Sequence, residues 1–350
     1  MTLDVTLSDL LGTELPIIQA PMAGAQASAL AIAVSNAGAL GSLPCAMLGL
    51  DAMRAELAAI RSGTTHAYNV NFFCHTPPVP NAEREAAWRV MLTPYYREFG
   101  IDPDNMSPGP SRLPFTADAA DILEEFKPAI VSFHFGLPAP DLLARIKGWG
   151  SKVIASATTV DEARWFEARG VDAVIAQGIE AGGHRSNFLS ADLTMQLGTF
   201  ALVPQIARAV RVPVIAAGGI ADARCVAAAL RLGASAVQVG TAYLLCPEAT
   251  TSAVHRAALR SPAAGHTDLT NLFSGRPARG IVNRLMRDLG SLSAAAPEFP
   301  LATPAVAPLR AAAEALGRGD FSPLWSGQNA TGCKEISAAA LTHELGAGFP

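Results

Sequence analysis

Charged residues are scarce in this sequence, and their scarcity excludes several classes of protein. Only 16% of the 350 residues are charged, and the formal net charge is −4 at pH 7. Without a basic excess, the chain has no electrostatic footprint for nucleic acid or for an anionic membrane surface. Half of the residues are apolar, which is enough to bury a large core. We therefore predict a compact globular protein that binds neither nucleic acid nor a membrane.

Paired cysteines and a targeting segment are also missing. The five cysteines are odd in number, widely separated and free of any CxxC pair, which argues against a disulfide framework and a structural zinc site. The N-terminal stretch MTLDVTLSDLLG has no basic region before an apolar run, so it does not match a secretory signal. We expect a cytoplasmic protein.

The stretch between Glu14 and Asp51 contains no charged residue, but prolines and glycines divide it. Each piece is shorter than the ~20 apolar residues that a membrane span needs. The stretch is therefore predicted to form a buried strand, a loop, a helix and a second strand.

Eight short apolar segments recur along the chain, and most are followed by glycine or polar residues and then by a helical pattern. They are PIIQA (16–20), ALGSL (39–43), AYNVNFF (67–73), AIVSFHF (129–135), KVIASA (152–157), VDAVIAQ (171–177), PVIAAGG (213–219) and SAVQVG (235–240). Apolar strands that alternate with helices imply a parallel sheet covered on both faces. Eight such units predict an α/β fold of the (β/α)₈ TIM-barrel type. A doubly wound open sheet is the alternative, although no GxGxxG motif follows the first segment.

Two regions do not fit the repeat. Residues 75–116 are proline-rich and follow the third segment, where we predict an inserted long loop with one helix. Residues 246–326 follow the eighth segment and are predicted to form a mostly helical cap or substrate subdomain. The barrel itself is then expected to span residues 1–245, and residues 327–350 to return to it.

Two glycine-rich turns follow the last two predicted strands, at the end of the barrel where active sites lie. Gly218 and Gly219 follow the seventh strand, and Gly240 and Thr241 follow the eighth. Backbone N–H groups at such turns favour an anion, so the pattern predicts a phosphate-bearing ligand. The alternative is that the glycines serve only to make tight turns.

Reactive side chains at the strand ends are few. The four lysines fall away from these ends, which argues against a Schiff-base aldolase. His134, His184 and Glu180 are too few for a metal-dependent barrel, and we predict no metal site. The phosphate-bearing ligand is therefore predicted to be a cofactor.

The remaining strand ends suit a flavin. Asn71 and Gln177 carry amides that can pair with the donors and acceptors of a pyrimidine edge. Other positions offer apolar or backbone contact to a flat ring. We assign cofactor contacts to Met22, Ala23, Gly182, Gly183 and Gln238 as well.

Two histidines are the predicted catalytic residues. His184 follows two glycines at the barrel mouth, and its ordinary pKa of ~6.5 suits it to hydrogen bonding or proton transfer. Its alternative is a structural histidine bonded to Glu180, which we interpret as an orienting group rather than a base. His134 lies in SFHFG as a second site residue, with a core histidine as the alternative.

Three arginines in GRPARGIVNRL could clamp an acidic substrate, because a guanidinium matches the geometry of a carboxylate. The favoured interpretation is a solvated basic helix. These residues are Arg276, Arg279 and Arg284.

Seven motifs in one order resemble bacterial class I nitronate monooxygenases, formerly called 2-nitropropane dioxygenases. They span residues 19 to 328, nearly the whole chain. The motifs are QAPMAGA (19–25), NVNFFCH (69–75), SFHFG (132–136), QGIEAGGHRSNF (177–188), AAGGIADAR (216–224), VGTAYL (239–244) and WSGQ (325–328).

The resemblance implies an FMN-containing TIM barrel that oxidises alkyl nitronates, propionate 3-nitronate above all, with molecular oxygen. The implied products are an aldehyde or ketone plus nitrite, NAD(P)H is not needed, and the implied benefit is detoxification by a monomer or homodimer. His184 matches the histidine that contacts the nitro group, and His134 matches a second active-site histidine. The flavin-contact positions of the family are matched by Met22, Asn71, Gln177, Gly183, Gly218, Gly219, Gly240 and Thr241.

One position departs from the family pattern, because Ser186 stands where its members commonly have glycine after EAGGHR. This departure bears on substrate preference more than on the cofactor. The alternative function is an NAD(P)H-dependent flavin reductase of quinones or enoyl thioesters. A phosphate-ligand binder without catalytic activity, or a phosphosugar isomerase, is the alternative from another class.

Overall fold

The computed structural model describes residues 10–103 and 112–349. Eleven strands form in this part of the chain. They are β1 (Ile17–Gln19), β2 (Gly41–Pro44), β3 (Tyr68–Phe73), β4 (Ile130–His134), β5 (Lys152–Ala157), β6 (Ala173–Gln177), β7 (Gly183–His184), β8 (Val214–Ala217), β9 (Ala236–Val239), β10 (Thr267–Thr270) and β11 (Ala278–Ile281).

Eight of these strands form one parallel sheet, in the order β1-β9-β8-β6-β5-β4-β3-β2. A parallel bridge between Ile18 and Leu40 joins the two ends of that order. Each barrel strand lies within one of the eight segments predicted from the sequence or extends one residue beyond it. The prediction of a TIM barrel is therefore confirmed.

The register of the barrel strands places the predicted site residues at one level. Asn71 pairs with Ser132 of the next strand. Ala217 pairs with Gln177 on one side and with Gln238 on the other. Because the strands are parallel, their carboxyl ends meet at one end of the barrel, and polar side chains gather there.

Isoleucines fill much of the barrel interior. Five strands each contribute one to a buried cluster: Ile18, Ile130, Ile154, Ile175 and Ile215. Such branched side chains make the interior a packed core rather than a pore. Within the described residues, the ligand-sized cavity lies toward the carboxyl ends of the strands.

Twelve α-helices occur in the described residues. They are α1 (Ser28–Asn36), α2 (Leu50–Gly63), α3 (Ala82–Phe99), α4 (Ala117–Phe126), α5 (Pro140–Gly148), α6 (Val160–Glu167), α7 (Thr199–Ala209), α8 (Ala223–Arg231), α9 (Ala253–Leu259), α10 (Arg284–Leu289), α11 (Thr303–Ala315) and α12 (Ala338–Gly346). Side-chain caps start several of them: Asp222, for example, accepts from the Cys225 N–H at the start of α8. None of these helices is long and apolar enough to cross a membrane.

The region after β3 contains one helix, α3, between residues 75 and 103. Residues 104–111, which also belong to the predicted insertion, lie outside the described part of the chain. Asn81 caps the start of α3, and Gly100 ends it at a φ of 63°. Tyr96 on this helix donates to the Ala305 carbonyl of α11 at 2.6 Å, so the insertion packs on the later helices.

The region 246–326 contains helices α9, α10 and α11, and also two strands that the sequence analysis did not predict. β10, β11 and β7 form a small antiparallel sheet in the order β10-β11-β7. In it, His184 pairs with Ala278 and Gly183 with Arg279. The loop that carries His184 is thus held by a strand nearly a hundred residues later.

Candidate active site

A cavity of about 230 Å³ lies at the carboxyl ends of the barrel strands. All thirteen residues predicted as catalytic or cofactor-binding line it. These are Met22, Ala23, Asn71, His134, Gln177, Gly182, Gly183, His184, Gly218, Gly219, Gln238, Gly240 and Thr241. The structure brings them together, while their individual roles stay predictions.

Backbone groups form one end of this cavity, which we call the glycine end and define by Gly218, Gly219, Gly240 and Thr241. Gly218 and Gly219 have φ angles of 120° and 72°, which side chains of L residues rarely allow. A Cβ on Gly218 would lie 2.8 Å from the Thr199 hydroxyl. Within the described chain, no protein acceptor pairs with the N–H groups of these four residues. The glycine end can therefore donate several hydrogen bonds to an anion.

Glu180 stabilises the glycine end from behind. Its carboxylate accepts from the Thr199 N–H at 2.8 Å and from the Thr199 hydroxyl at 2.9 Å. Thr199 also lies 3.0 Å from the Gly218 carbonyl oxygen. Glu180 is not on the cavity wall and does not pair with His184, so the arrangement agrees with an orienting group.

The three side-chain amides at the strand ends differ in which of their polar atoms lack a hydrogen-bond partner within the described protein. Asn71 donates to Ser132, and its carbonyl oxygen has no partner in the described structure. Gln177 uses both ends of its amide, donating to the His184 carbonyl at 3.0 Å and accepting from the Ser186 N–H at 2.9 Å. The Gln238 Oε1 atom is buried and has no partner among the described residues. Asn71 and Gln238 can therefore bind a ligand, whereas Gln177 holds the His184 loop.

Side chains form another part of the site, which we call the imidazole end and define by the cavity-lining His134 and His184 and by Ser274 behind His184. The Nε2 atom of His184 lies 2.8 Å from the Ser274 hydroxyl. Its Nδ1 atom has no partner in the described chain and is not enclosed, so it faces the cavity that His184 lines. The rings of Phe299 and Trp325 lie 5.3 and 5.5 Å from the imidazole and restrict its movement.

His134 supports the same loop. Because its Nε2 atom lies 3.2 Å from the His184 carbonyl oxygen, that nitrogen carries the proton and donates it. Burial lowers the pKa of His134 to about 3. Burial also lowers the pKa of His184 well below its ordinary value, and the positive charges of Arg112 and Arg276 lower it further. Both imidazoles are therefore neutral near pH 7.

The three arginines considered for a substrate clamp do not line the cavity. Arg284 on α10 is partly exposed and pairs with Glu98 at 2.7 Å, as a solvated helix predicts. For the other two, the solvated-helix interpretation is wrong. Arg279 is buried in β11 and donates to the Ile179 carbonyl at 2.8 Å. The Arg276 guanidinium lies 4.1 Å from the ring centroid of Phe135 and donates to the Asn187 carbonyl. Both stabilise the loop structure around the site.

Ser186 does not reach the cavity. Its side chain is fully buried, and its hydroxyl has no partner among the described residues. Its backbone N–H is the group that Gln177 binds. The departure from the family glycine therefore changes packing beneath the loop rather than the cavity surface.

Several residues at the site were missed by the sequence analysis. Arg112, His255 and Arg310 line the cavity, and Ser274 contacts His184 from behind. None has a local signal, because each lies outside the barrel strands and reaches the site through the tertiary fold. The WSGQ motif was noted only as part of the resemblance, yet the Gly327 N–H donates to the Thr241 hydroxyl at 2.9 Å.

The described residues contain no group of three or more His, Cys, Asp or Glu side chains able to hold a metal ion. The protein groups of this cavity can perform only limited chemistry by themselves. It offers neutral imidazoles, amide groups and backbone donors, with a cationic guanidinium from Arg112.

Comparison with known proteins identifies the family. The family model described as nitronate monooxygenase matches residues 4–348. The nitronate monooxygenase of Pseudomonas aeruginosa is 44% identical over 345 residues, which cover 96% of each chain. That of Paraburkholderia phytofirmans is 44% identical over 350 residues, covering 97% of this chain and 93% of the relative.

A solved structure of a similar protein has the same fold. The nitroalkane oxidase from Streptomyces ansochromogenes superposes with a TM-score of 0.87 at 37% identity, covering 98% of this chain and 97% of that chain. The match includes the barrel, the insertion after β3 and the later helices. With the family model matching nearly every residue, the chain is an enzyme that belongs to the nitronate monooxygenase family.

Proposed function

We propose that this enzyme oxidises alkyl nitronates, propionate 3-nitronate above all, with molecular oxygen to an aldehyde or ketone plus nitrite, using FMN. The observation that carries the proposal is that one cavity presents two different kinds of binding group. One end presents unpaired backbone N–H groups, and the other presents a neutral imidazole with an accessible nitrogen. A phosphate-bearing cofactor fits the first end, and an anionic substrate fits the second.

The residues present fit FMN. The glycine end would hold the phosphate, because free N–H groups at such turns bind anions. The buried Oε1 of Gln238 or the free oxygen of Asn71 would accept from the one ring N–H of the oxidised flavin. A Cβ on Gly183 would meet no protein atom within 4 Å, so open space adjoins this backbone. When bound, a flavin supplies the redox chemistry that none of these side chains can perform.

His184 orients the substrate in this proposal. To hydrogen bond an anionic substrate, the Nδ1 atom of His184 would carry the proton, and the Ser274 hydroxyl would donate to Nε2, 2.8 Å away. None of the groups whose charge shifts the pKa of His184 is a carboxylate. The surroundings thus favour an anionic nitronate.

The same electrostatics disfavour neutral nitroalkanes. To remove their proton, His184 would have to become an imidazolium, and burial beside Arg112 and Arg276 opposes that charge. We expect nitronates that arrive already deprotonated to be much better substrates than the parent nitroalkanes. Phe73 and Trp325 on the cavity wall limit the access of water to the reacting group.

The region 246–326 completes the site and is proposed to act as its cap. It contributes Ser274, Phe299 and Trp325, all of which lie against His184. Without this region the imidazole would lose the groups that fix its orientation.

The test is to purify the protein, record its visible spectrum, identify any released flavin and measure nitrite formation from propionate 3-nitronate in air. We expect the spectrum of an oxidised flavin, FMN on denaturation, and nitrite release that depends on oxygen. Mixing the enzyme with NADH, NADPH or nitronate under anaerobic conditions tests the alternative function, an NAD(P)H-dependent flavin reductase. Rapid bleaching of the flavin by NADH or NADPH, with no response to nitronate, would assign the chain to the reductases instead. A protein that binds no flavin even after FMN is added would contradict the proposal.

A further inference from the structure

Arg112 is a cation on the cavity wall that lacks a carboxylate partner within the described part of the chain. Its Nη1 atom donates to the Thr303 hydroxyl at 2.5 Å, and its Cζ atom lies 6.0 Å from the ring centroid of Phe299. Neither contact neutralises its charge. A partly buried guanidinium without a counter-charge is costly, and a bound anion removes that cost.

A second arginine on the same wall shows the contrast. Arg310 pairs with Glu314 at 2.8 Å, and Glu314 also accepts from the Ser322 hydroxyl at 2.6 Å. The charge of Arg310 is therefore balanced inside the protein. Of these two cavity-lining arginines, Arg112 keeps its charge available for a ligand.

Arg112 and His184 lie against the same aromatic ring. The Phe299 centroid is 5.3 Å from the His184 imidazole and 6.0 Å from the Arg112 guanidinium carbon. After burial, the positive charge of Arg112 is the largest cause of the lowered pKa of the His184 imidazole. A short substrate held at His184 can therefore extend one end to Arg112.

We propose that Arg112 is the residue that binds the carboxylate of propionate 3-nitronate and so sets the preference of the enzyme for that substrate over nitronates without a carboxylate. This inference rests on the proposed function and names the residue that sets specificity within it. A guanidinium offers two parallel N–H donors that match a carboxylate, and Phe299 shields the pair from water. Although burial lowers the pKa of Arg112 to about 10, the side chain stays cationic at neutral pH.

The experiment compares two nitronates with the same number of carbon atoms, propionate 3-nitronate and propyl 1-nitronate. For the flavin-loaded enzyme we expect a higher kcat/KM with the carboxylate-bearing substrate. Arg112→Gln should lower kcat/KM for propionate 3-nitronate by roughly 10- to 100-fold, the range of a hydrogen bond to a charged group, and change that for propyl 1-nitronate little. Arg112→Lys should recover part of the loss, because it restores the charge without the paired donors.

The double variant Arg310→Gln/Glu314→Gln is the matched control. It also removes an arginine from the cavity wall, but together with the carboxylate that balances it, so the net charge of the wall is unchanged and the ratio of the two kcat/KM values should stay near that of the unchanged enzyme. A second readout does not depend on turnover: the Kd of 3-nitropropionate, measured anaerobically by calorimetry, should rise in Arg112→Gln and not in the double variant.

The possible results distinguish a failure of the proposed function from a failure of the proposed role of Arg112. Nitrite from neither nitronate contradicts the proposed function itself. Nitrite from both without preference for the carboxylate, or an equal loss for both substrates in Arg112→Gln, overturns the role of Arg112 and leaves the function standing. If Arg112→Gln does not fold, Arg112→Lys and the preference of the unchanged enzyme still decide the question.

Discussion

The glycine end and the imidazole end of the cavity are built from different kinds of atoms. At the glycine end the ligand-facing groups are backbone N–H donors, and two of them belong to Gly218 and Gly219, whose φ angles only glycine adopts readily. At the imidazole end they are side chains that depend on other side chains, since His184 is held by Ser274, Phe299 and Trp325.

This difference predicts how each end responds to mutation. A backbone donor cannot be removed by changing its own side chain, so the glycine end is disturbed only by added volume or strain. The imidazole end can be adjusted one group at a time. A cofactor shared by a whole family suits the first kind of site, and a variable substrate suits the second.

Replacing His184 by Asn should produce the largest effect on turnover. The variant keeps a polar side chain but loses the imidazole that orients the nitronate, so we expect turnover of nitronates to fall by roughly 100-fold, the upper range for loss of a hydrogen bond to a charged group. Any activity on neutral nitroalkanes should fall further. FMN should stay bound, which the visible spectrum measures. Unchanged kinetics would remove His184 from the mechanism.

Replacing Gly218 by Ala should damage the other end and spare the chemistry. The new Cβ would lie 2.8 Å from the Thr199 hydroxyl at a φ of 120°, and strain of this kind costs about 1–3 kcal/mol. We expect the Kd for FMN to rise about tenfold, measured by quenching of flavin fluorescence. Gly290→Ala is the control, because its φ is 78° but no atom lies within 4 Å of the added Cβ. Equal FMN affinity in both variants would contradict the assignment of the phosphate site.

Replacing Ser274 by Ala tests whether the imidazole end depends on its supporting hydroxyl. Loss of one hydrogen bond is worth about 1 kcal/mol, so we expect kcat to fall about fivefold with the flavin content unchanged. The pH dependence of kcat should shift as well, because the hydroxyl contacts the Nε2 atom of His184. A purely structural serine would lower the melting temperature and leave the pH profile in place.

Titration should distinguish the two ends as well, since backbone amides do not titrate and imidazoles do. The pKa of His134 is about 3 in the folded protein and ~6.5 when unfolded, so below pH 6.5 only the unfolded chain takes up the proton. Stability is therefore lost as the pH falls from 6.5 toward 3.

The measurement is the free energy of unfolding at pH 7.5 and 5.5, for the unchanged protein and for His134→Asn. We expect the fall in stability on acidification to be smaller in the variant by about 1 kcal/mol. Identical falls would show that His134 is protonated as easily in the folded protein as in the unfolded chain.

The barrel could be predicted because its strands are local patterns. PVIAAGG and SAVQVG are apolar runs that end in glycine, and β8 and β9 form there. β10 and β11 were missed because TDLT and ARGI are four-residue strands that include charged residues and lack an apolar run. β10 pairs with β11, and β11 pairs with β7, so this small sheet joins segments that lie far apart in the chain.

The members of the site could be predicted better than their contacts. Gln177 was placed correctly on the cavity wall, but the sequence could not indicate that its amide is engaged by His184 and Ser186. The interpretation of Arg276 and Arg279 as part of a solvated basic helix was wrong for a similar reason. The sequence shows that a residue is charged, but it does not show which backbone carbonyl oxygens will accept hydrogen bonds from that residue.

By itself, the sequence determined the eight strands, the order in which they follow one another and the glycines at their ends. Each of these depends on hydrophobic runs and backbone freedom within a few residues, which a linear pattern contains. Only the tertiary structure decided that Ser274 faces His184, that Arg112 lacks a carboxylate partner among the described residues and that Arg310 has one. Those contacts join residues far apart in the chain, and their energies depend on distances and burial that exist only after folding.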